Sequence, residues 1–170
     1  TDTRRRWPAE RFAEVARDLV ADGYEVLVTG TPAEQQVVDR LVAAAGVPVR
    51  PLVGVLSLGG LAGCYAGCEL VVSNDTGPLH LAAAVGTATV GIYWVGNMIN
   101  TANMRRGRHR PIASWTVHCP VCGVDCTPGI YPHRPGDGEC SHRDSFVTDV
   151  PVAEVLEAAR ELLHPEPGAA

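Results

Sequence analysis

No apolar run in this chain is long enough to cross a bilayer, and no apolar stretch follows the arginines at positions 4, 5 and 6. A membrane span and a secretory leader are therefore not expected, and the protein reads as soluble and cytoplasmic. Lysine is absent, so the 14 basic residues are all arginine, and 19 acidic residues bring the formal net charge to -5. That balance excludes a general nucleic-acid binder, whose surface is normally net basic, and leaves small anionic ligands open through local sites. Structural disulfides are not expected either, since the six cysteines lie in a chain without a leader, which favours thiols or metal ligation. With 170 residues there is length for one domain with a sizeable core, hardly for two.

What is present is an alternation of helical and strand patterns. Pro8 suits a helix N1 position, and Phe12, Val15, Ala16, Leu19 and Val20 recur at helical spacing until Gly23. Residues 24–29 are apolar and β-branched, as in a buried parallel strand, and Gly30 closes them. A helix over 33–45, a strand over 49–53, a helix capped by Ser57, a strand over 69–73, a helix over 78–85 and a strand over 88–94 follow. This alternation predicts an α/β fold, a Rossmann-like parallel sheet with helices on both faces, over residues 1–95. Residues 96–149 lose the periodicity and read as an irregular Cys/Arg-rich insertion with its own reason to be ordered. A C-terminal helix over 150–164 and a loose tail over 165–170 complete the chain.

The stretch SNDTGPLHLAAAVG, 73–86, sets polar groups at the carboxyl end of a predicted parallel strand, where open α/β sheets bind ligands. Gly77 lets backbone approach a ligand, and the helix beginning at Pro78 directs N–H groups and its positive dipole end towards phosphate. The bland alternative is that Asp75 and Thr76 cap the helix and that His80 lies on the surface or in the core.

The run D-T-G-P-x-H-L-A-A-A, which opens on Asp75, Thr76 and Gly77 and contains His80, resembles the signature of glycosyltransferase family 9, the heptosyltransferase-like enzymes. The resemblance runs from Arg5 to about Trp94 and includes three more segments in register. Arg5-Arg6-Trp7-Pro8 is similar to the family's basic-x-Trp-Pro approach to the first helix, with Arg5 in place of a phosphate-contacting lysine. Glu34 resembles the acidic residue that holds the ribose, and Leu56-Ser57-Leu58 the segment beside the adenine. Each has an ordinary alternative: a solvated Arg5, a Glu34 that favours a helix N-terminus, a core Leu56.

The resemblance implies the C-terminal, donor-binding half of a GT-B fold. It implies an inverting glycosyltransferase that takes a nucleotide-diphosphate sugar of the ADP-heptose type and needs no catalytic metal. The catalytic base is expected in an N-terminal acceptor domain, so the catalytic residue stays unassigned and the chain alone is expected to be inactive. The family's sheet has a central strand directly ahead of the basic-x-Trp-Pro segment. A partner is therefore expected, the N-terminal half of the same enzyme as a separate or nicked chain, with peripheral contact to the inner membrane surface. A non-catalytic nucleotide-sugar-binding or metal-stabilised interaction module on the same fold is the alternative. A hydrolase or epimerase lacks support, since neither paired carboxylates nor a Gly-x-Gly-x-x-Gly turn is found.

Cys119, Cys122, Cys126 and Cys140, with His142, form the pattern C-x2-C-x3-C-x13-C-x-H. A C-x2-C turn places two thiolates on one metal, and two further ligands would close a tetrahedron. A structural zinc is expected first, an iron–sulfur cluster next, with reduced thiols or an adventitious disulfide as the alternative. Cys64 and Cys68 read as small core residues, and Arg105, Arg106, Arg108 and Arg110 as a solvated basic loop.

Overall fold

Helix α1 (Ala9–Ala21) starts directly after Pro8, whose fixed φ and missing N–H suit the residue ahead of a first turn. Strand β1 (Leu27–Gly30), α2 (Gln35–Ala45), β2 (Arg50–Val53), α3 (Leu58–Ala66), β3 (Leu70–Asn74), α4 (Gly77–Ala84) and β4 (Ala88–Trp94) then alternate as the periodicity predicts. The computed structural model describes residues 2–102, 107–126 and 141–165. All of the strand pairing in the named strands is parallel, and helices cover both faces of the sheet.

The regular fold continues beyond residue 95. Helix α5 (Val95–Thr101) and strand β5 (His109–Ser114) both lie in the stretch expected to be an irregular insertion, and β5 extends the sheet by pairing with β4. Pro111 and the arginines beside it hide this strand in the sequence. It pairs with β4 alone in its sheet, and an edge strand tolerates a proline that lacks an N–H for the open side. Phe146 and Val147 are also buried in the core, so described residues of 96–149 contribute to the fold.

Strand β4 shows how the core is divided. Val90 and Ile92 join Ile112, Val147, Val150 and the buried face of α6 (Val152–Leu163), with Trp7 and Val15 from the α1 side. Alternate residues face the other way, since successive side chains of a strand point to opposite faces. A Cβ on Gly91 would stand 2.5 Å from Tyr93 Cε2, 2.7 Å from Leu79 Cδ2 and 3.1 Å from His109 Cε1. All three neighbours are buried, so none can turn aside into solvent. Gly91→Ala should destabilise by about 1–3 kcal/mol through overpacking, read as a lower urea midpoint with an unchanged slope.

The sheet is not continuous. Strands β1 and β2 form one ladder and β3, β4 and β5 another, with no pairing between β1 and β3 among the described residues. Between these two edges lies a cavity of about 760 Å³ lined by residues of β1 on one side and of β3 on the other. Each edge carries a row of backbone N–H and C=O groups facing this slot. One parallel strand placed there would give the order β2-β1-x-β3-β4-β5, that of a doubly wound sheet with its switch point beside β3. Helix α1 links the two halves, because Phe12 packs against both apolar clusters. Cys64 and Cys68 are half-buried and line the slot.

Candidate functional site

Parallel strands deliver their carboxyl ends to one rim, and the motif residues lie along it. At the end of β3 the Asp75 N–H donates to Ile92 O at 2.9 Å, which fixes the turn into α4. The Asp75 side chain is 4% exposed. Its carboxylate accepts from His80 Nε2 at 3.0 Å and faces the Arg5 guanidinium at 3.5 Å; the Thr101 hydroxyl lies 3.2 Å away and shares its one proton with Asn97 O at 2.8 Å. A buried carboxylate is tolerable only with donors and a counter-charge of this kind. Both oxygens are thus directed at protein groups, and Asp75 holds Arg5 and His80 together at the end of β3.

Arg5 reaches this point because its neighbours are anchored. Trp7 is 3% exposed, donates Nε1–H to Val150 O at 3.1 Å, and stacks edge-on against Phe12 with ring centres 4.9 Å apart. Its backbone N–H donates to Asn74 Oδ1 at 2.9 Å, which ties the arginine segment to the end of β3. From the other end of the chain Phe146 N–H donates to Arg4 O at 2.7 Å, Ser145 Oγ to Arg6 O at 2.6 Å, and Thr3 Oγ1 to Arg143 O at 3.0 Å.

Thr76 is the N-cap residue of α4 and makes no side-chain bond to the helix; its hydroxyl donates to Asn74 O at 3.2 Å. A Cβ on Gly77 would meet nothing within 4 Å, so the space in front of this turn is open on the protein side. Pro78 has no N–H, and the Leu79 and His80 N–H groups donate to Thr76 O at 3.0 and 3.4 Å, which leaves the Gly77 N–H as the backbone donor at the start of α4.

Along the neighbouring rim, Glu34 follows β1. It accepts from Thr31 N–H at 2.9 Å and from Thr31 Oγ1 at 2.8 Å, closing a capping box over a 3-10 turn at Pro32–Glu34. The bond from the Thr31 backbone is the main reason its carboxyl titrates below the ordinary glutamate range. Ser57 caps α3 by accepting from Gly60 N–H at 3.1 Å. Leu56 lines the slot, and Val55 and Leu58 beside it are 68% and 75% exposed. The structure therefore groups Arg5, Asp75, Thr76, Gly77 and His80 at the β3 end, and Glu34, Leu56 and Ser57 at the ends of β1 and β2.

Sequence reasoning missed Thr101, Asn74 and His109. Thr101 stands in a stretch without visible periodicity, and nothing local marks it as an Asp75 partner. His109 is 2% exposed; its Nδ1 lies 2.7 Å from Thr89 Oγ1 and its Nε2 3.3 Å from Tyr93 Oη. Burial first, then the nearby His80 and Arg110, push its pKa below the ordinary histidine value. The folded state therefore holds the neutral ring while the unfolded chain protonates near pH 6.5. Stability should be unaffected above that pH and fall below it, by at most about 1.4 kcal/mol per pH unit for this one group. Urea midpoints followed downwards from about pH 8 check this, and His109→Gln should flatten the acid limb relative to the parent.

Among the cysteines, Cys119, Cys122 and His142 bring their ligand atoms within 4.8 Å of one another. Cys126 is not in that group; it lies on the returning arm of the hairpin and lines a cleft with Arg4, Arg5, Trp94, Asn97 and Phe146. The Cys126 thiol nevertheless lies close to the turn, within reach of the Cys119 backbone and of both thiols. Cys140, Arg105 and Arg106 and the end of the tail lie outside the described residues. Arg110 pairs with Glu161 of α6 at 2.9 Å.

Fold and site together define a doubly wound α/β domain with a polar corner at the carboxyl rim of its sheet. Residues 1–122 match the family model of glycosyltransferase family 9 (heptosyltransferase), and the chain belongs to that family. It is 30% identical over 163 residues to a lipooligosaccharide heptosyltransferase 2 of Campylobacter jejuni, covering 94% of this chain and 47% of the relative. To a lipopolysaccharide heptosyltransferase 2 of Salmonella typhimurium it is 26% identical over 166 residues, covering 95% and 44%. The solved structure of an ADP-heptose lipopolysaccharide heptosyltransferase II from E. coli shares the fold with a TM-score of 0.70 at 23% identity, over 94% of this chain and 42% of that one. A family 9 glycosyltransferase structure from Veillonella parvula gives 0.68 at 22%, with 94% and 42% covered. The chain thus spans less than half the length of these relatives. Among the described residues no helix is long and apolar enough to cross a membrane.

Proposed function

We propose that this chain is the donor-binding, C-terminal half of an inverting glycosyltransferase that takes a sugar from a nucleotide diphosphate, of the ADP-heptose type, to a glycan or related acceptor. One observation carries the reading: in a family 9 chain, Arg5 stands 3.5 Å from the buried Asp75 at the mouth of α4.

In the transfer an acceptor oxygen bonds to the anomeric carbon while the bond from that carbon to the diphosphate oxygen breaks. The bonding electrons leave with the nucleotide diphosphate, and the acceptor proton passes to a base on the facing acceptor-binding half. Negative charge grows on the departing diphosphate, and fixed positive groups aimed at that position lower the barrier. Arg5 and the Gly77 N–H at the start of α4 are those groups, and His80, oriented through Asp75, contributes a further polar edge. The open rim before Glu34 takes the ribose, and the exposed apolar side chains around Leu56 and Ser57 offer a face for the base. The slot between β1 and β3 fits a parallel strand supplied by the rest of the enzyme.

Calorimetric titration of the assembled protein with ADP-heptose, a GDP-sugar and a UDP-sugar tests the donor. Saturable binding of ADP-heptose in preference to the others is expected; binding of none of them overturns the reading. For the strand, hydrogen exchange on the β1 and β3 amides should slow when the acceptor-binding half is present, and equal exchange with and without it would sink that assignment.

A further inference from the structure

Residues 117–126 form a tight hairpin on which two thiols share one turn. His118 and Asp125 make an antiparallel bridge. Cys119 N–H donates to Val124 O at 2.8 Å, Gly123 N–H to Cys119 O at 2.9 Å and Cys126 N–H to Val117 O at 2.8 Å. Gly123 adopts φ +71°, a left-handed position that a residue with a side chain rarely takes. The turn Cys119-Pro120-Val121-Cys122-Gly123 therefore projects both sulfurs to one side, one from a buried residue and one from an exposed residue.

His142 arrives from a distant part of the chain. Its ring nitrogen and the two sulfurs lie within 4.8 Å of one another. Ligands held tetrahedrally at zinc–sulfur and zinc–nitrogen distances are about 3.5–3.8 Å apart, so a contraction of about 1 Å brings these atoms into coordination. The donor set, two soft thiolates and an imidazole, suits zinc rather than calcium or magnesium.

We infer that Cys119, Cys122 and His142 bind a zinc ion that fastens the 117–126 hairpin to the segment carrying His142. Both thiols lose their protons to solvent on binding, and the histidine binds as the neutral ring, so loading releases protons and weakens in acid. The consequence reaches the site at β3. The residues after His142 hold the arginine segment: Arg143 O accepts from Thr3, Ser145 Oγ donates to Arg6 O, and Phe146 N–H donates to Arg4 O. Between these contacts sits Arg5, 3.5 Å from Asp75. The metal thus positions Arg5 without touching the ligand, and this coupling rests on the donor reading given above.

The whole protein, purified under reducing conditions without a metal-binding tag, should carry about one zinc per chain by elemental analysis. Cobalt substitution should give thiolate-to-cobalt charge transfer in the near ultraviolet and the visible bands of a tetrahedral site. Cys122→Ser, at an exposed position, should lose tight zinc binding while its circular dichroism stays that of the parent. Cys64→Ser, away from the hairpin, should keep the metal. Protein that neither contains nor takes up zinc, or a Cys122→Ser variant that holds it as tightly as the parent, overturns the site. Stripping the zinc should weaken ADP-heptose binding by about 5–150-fold; unchanged affinity overturns the coupling. Failure of the zinc-loaded protein to bind any donor would reject the donor reading and leave the metal site standing.

Discussion

Trp7→Ala should lower stability by about 3–5 kcal/mol, a fall in melting temperature of roughly 6–20 °C for a chain of this size. The indole is buried among Val15, Val90, Val150 and Leu156, and a truncation there leaves a cavity that a sheet-and-helix core cannot collapse. The change also removes the bond from Nε1 to Val150 O and the edge-on contact with Phe12. Trp7→Phe keeps most of the apolar volume and loses the N–H, so a loss of about 1 kcal/mol from the hydrogen bond, with a smaller packing loss, is expected. Urea titration of parent and both variants separates the two contributions. If Trp7→Ala unfolds at the parent's midpoint, the anchoring role given to Trp7 is wrong, and with it the account of how Arg5 is placed.

The second large effect concerns binding. Asp75→Ala removes the acceptor of His80 Nε2 and the counter-charge of Arg5 in one step. Hydrogen bonds to a charged group are worth about 1.5–3 kcal/mol, so donor affinity should fall by roughly 10–150-fold once Arg5 and His80 lose their common support. Asp75→Asn keeps the shape and one acceptor oxygen without the charge, and it should fall between the two. Arg5 is partly exposed, so water screens its charge and much of the effect should appear in affinity rather than in folding. Calorimetry paired with thermal unfolding reads both. An Asp75→Ala protein that is folded and binds ADP-heptose like the parent would remove the cluster from the donor site.

How much of this was legible in the sequence depends on what each residue's neighbours are. The run over β4 is apolar because both of its faces are covered, and such a run reads as strand without help. The β5 run HRPIAS does not, since an edge strand with proline and arginine shares its composition with loops. Arg5, Asp75 and His80 stand in motif segments; Asp75 and His80 meet within one turn, whereas the approach of Arg5 to 3.5 Å depends on the long-range anchoring of Trp7. Thr31 and Glu34 show the opposite case. A threonine followed three residues later by glutamate is the sequence form of a capping box, and the structure contains that box. The role of Glu34 towards ribose therefore has to coexist with a structural one.

The cysteines divide in the same way. Spacing alone put Cys119 and Cys122 on one turn. That the His142 ring stands within 4.8 Å of both sulfurs depends on how the chain returns after β5, which is tertiary information.

Beside the bond to Asn74, the contacts that hold the arginine segment join residues 139 to 143 positions apart, from Trp7 to Val150 and from Arg6 to Ser145. Loops of that length close late, because their entropy must be met before the contact repays it. Helices α1 and α2 and the β3–β4 pair can form from local contacts while synthesis is still under way. The corner containing Arg5 cannot. Its geometry exists only after residue 150 has left the ribosome, so a nascent chain carries the sheet before it carries the site.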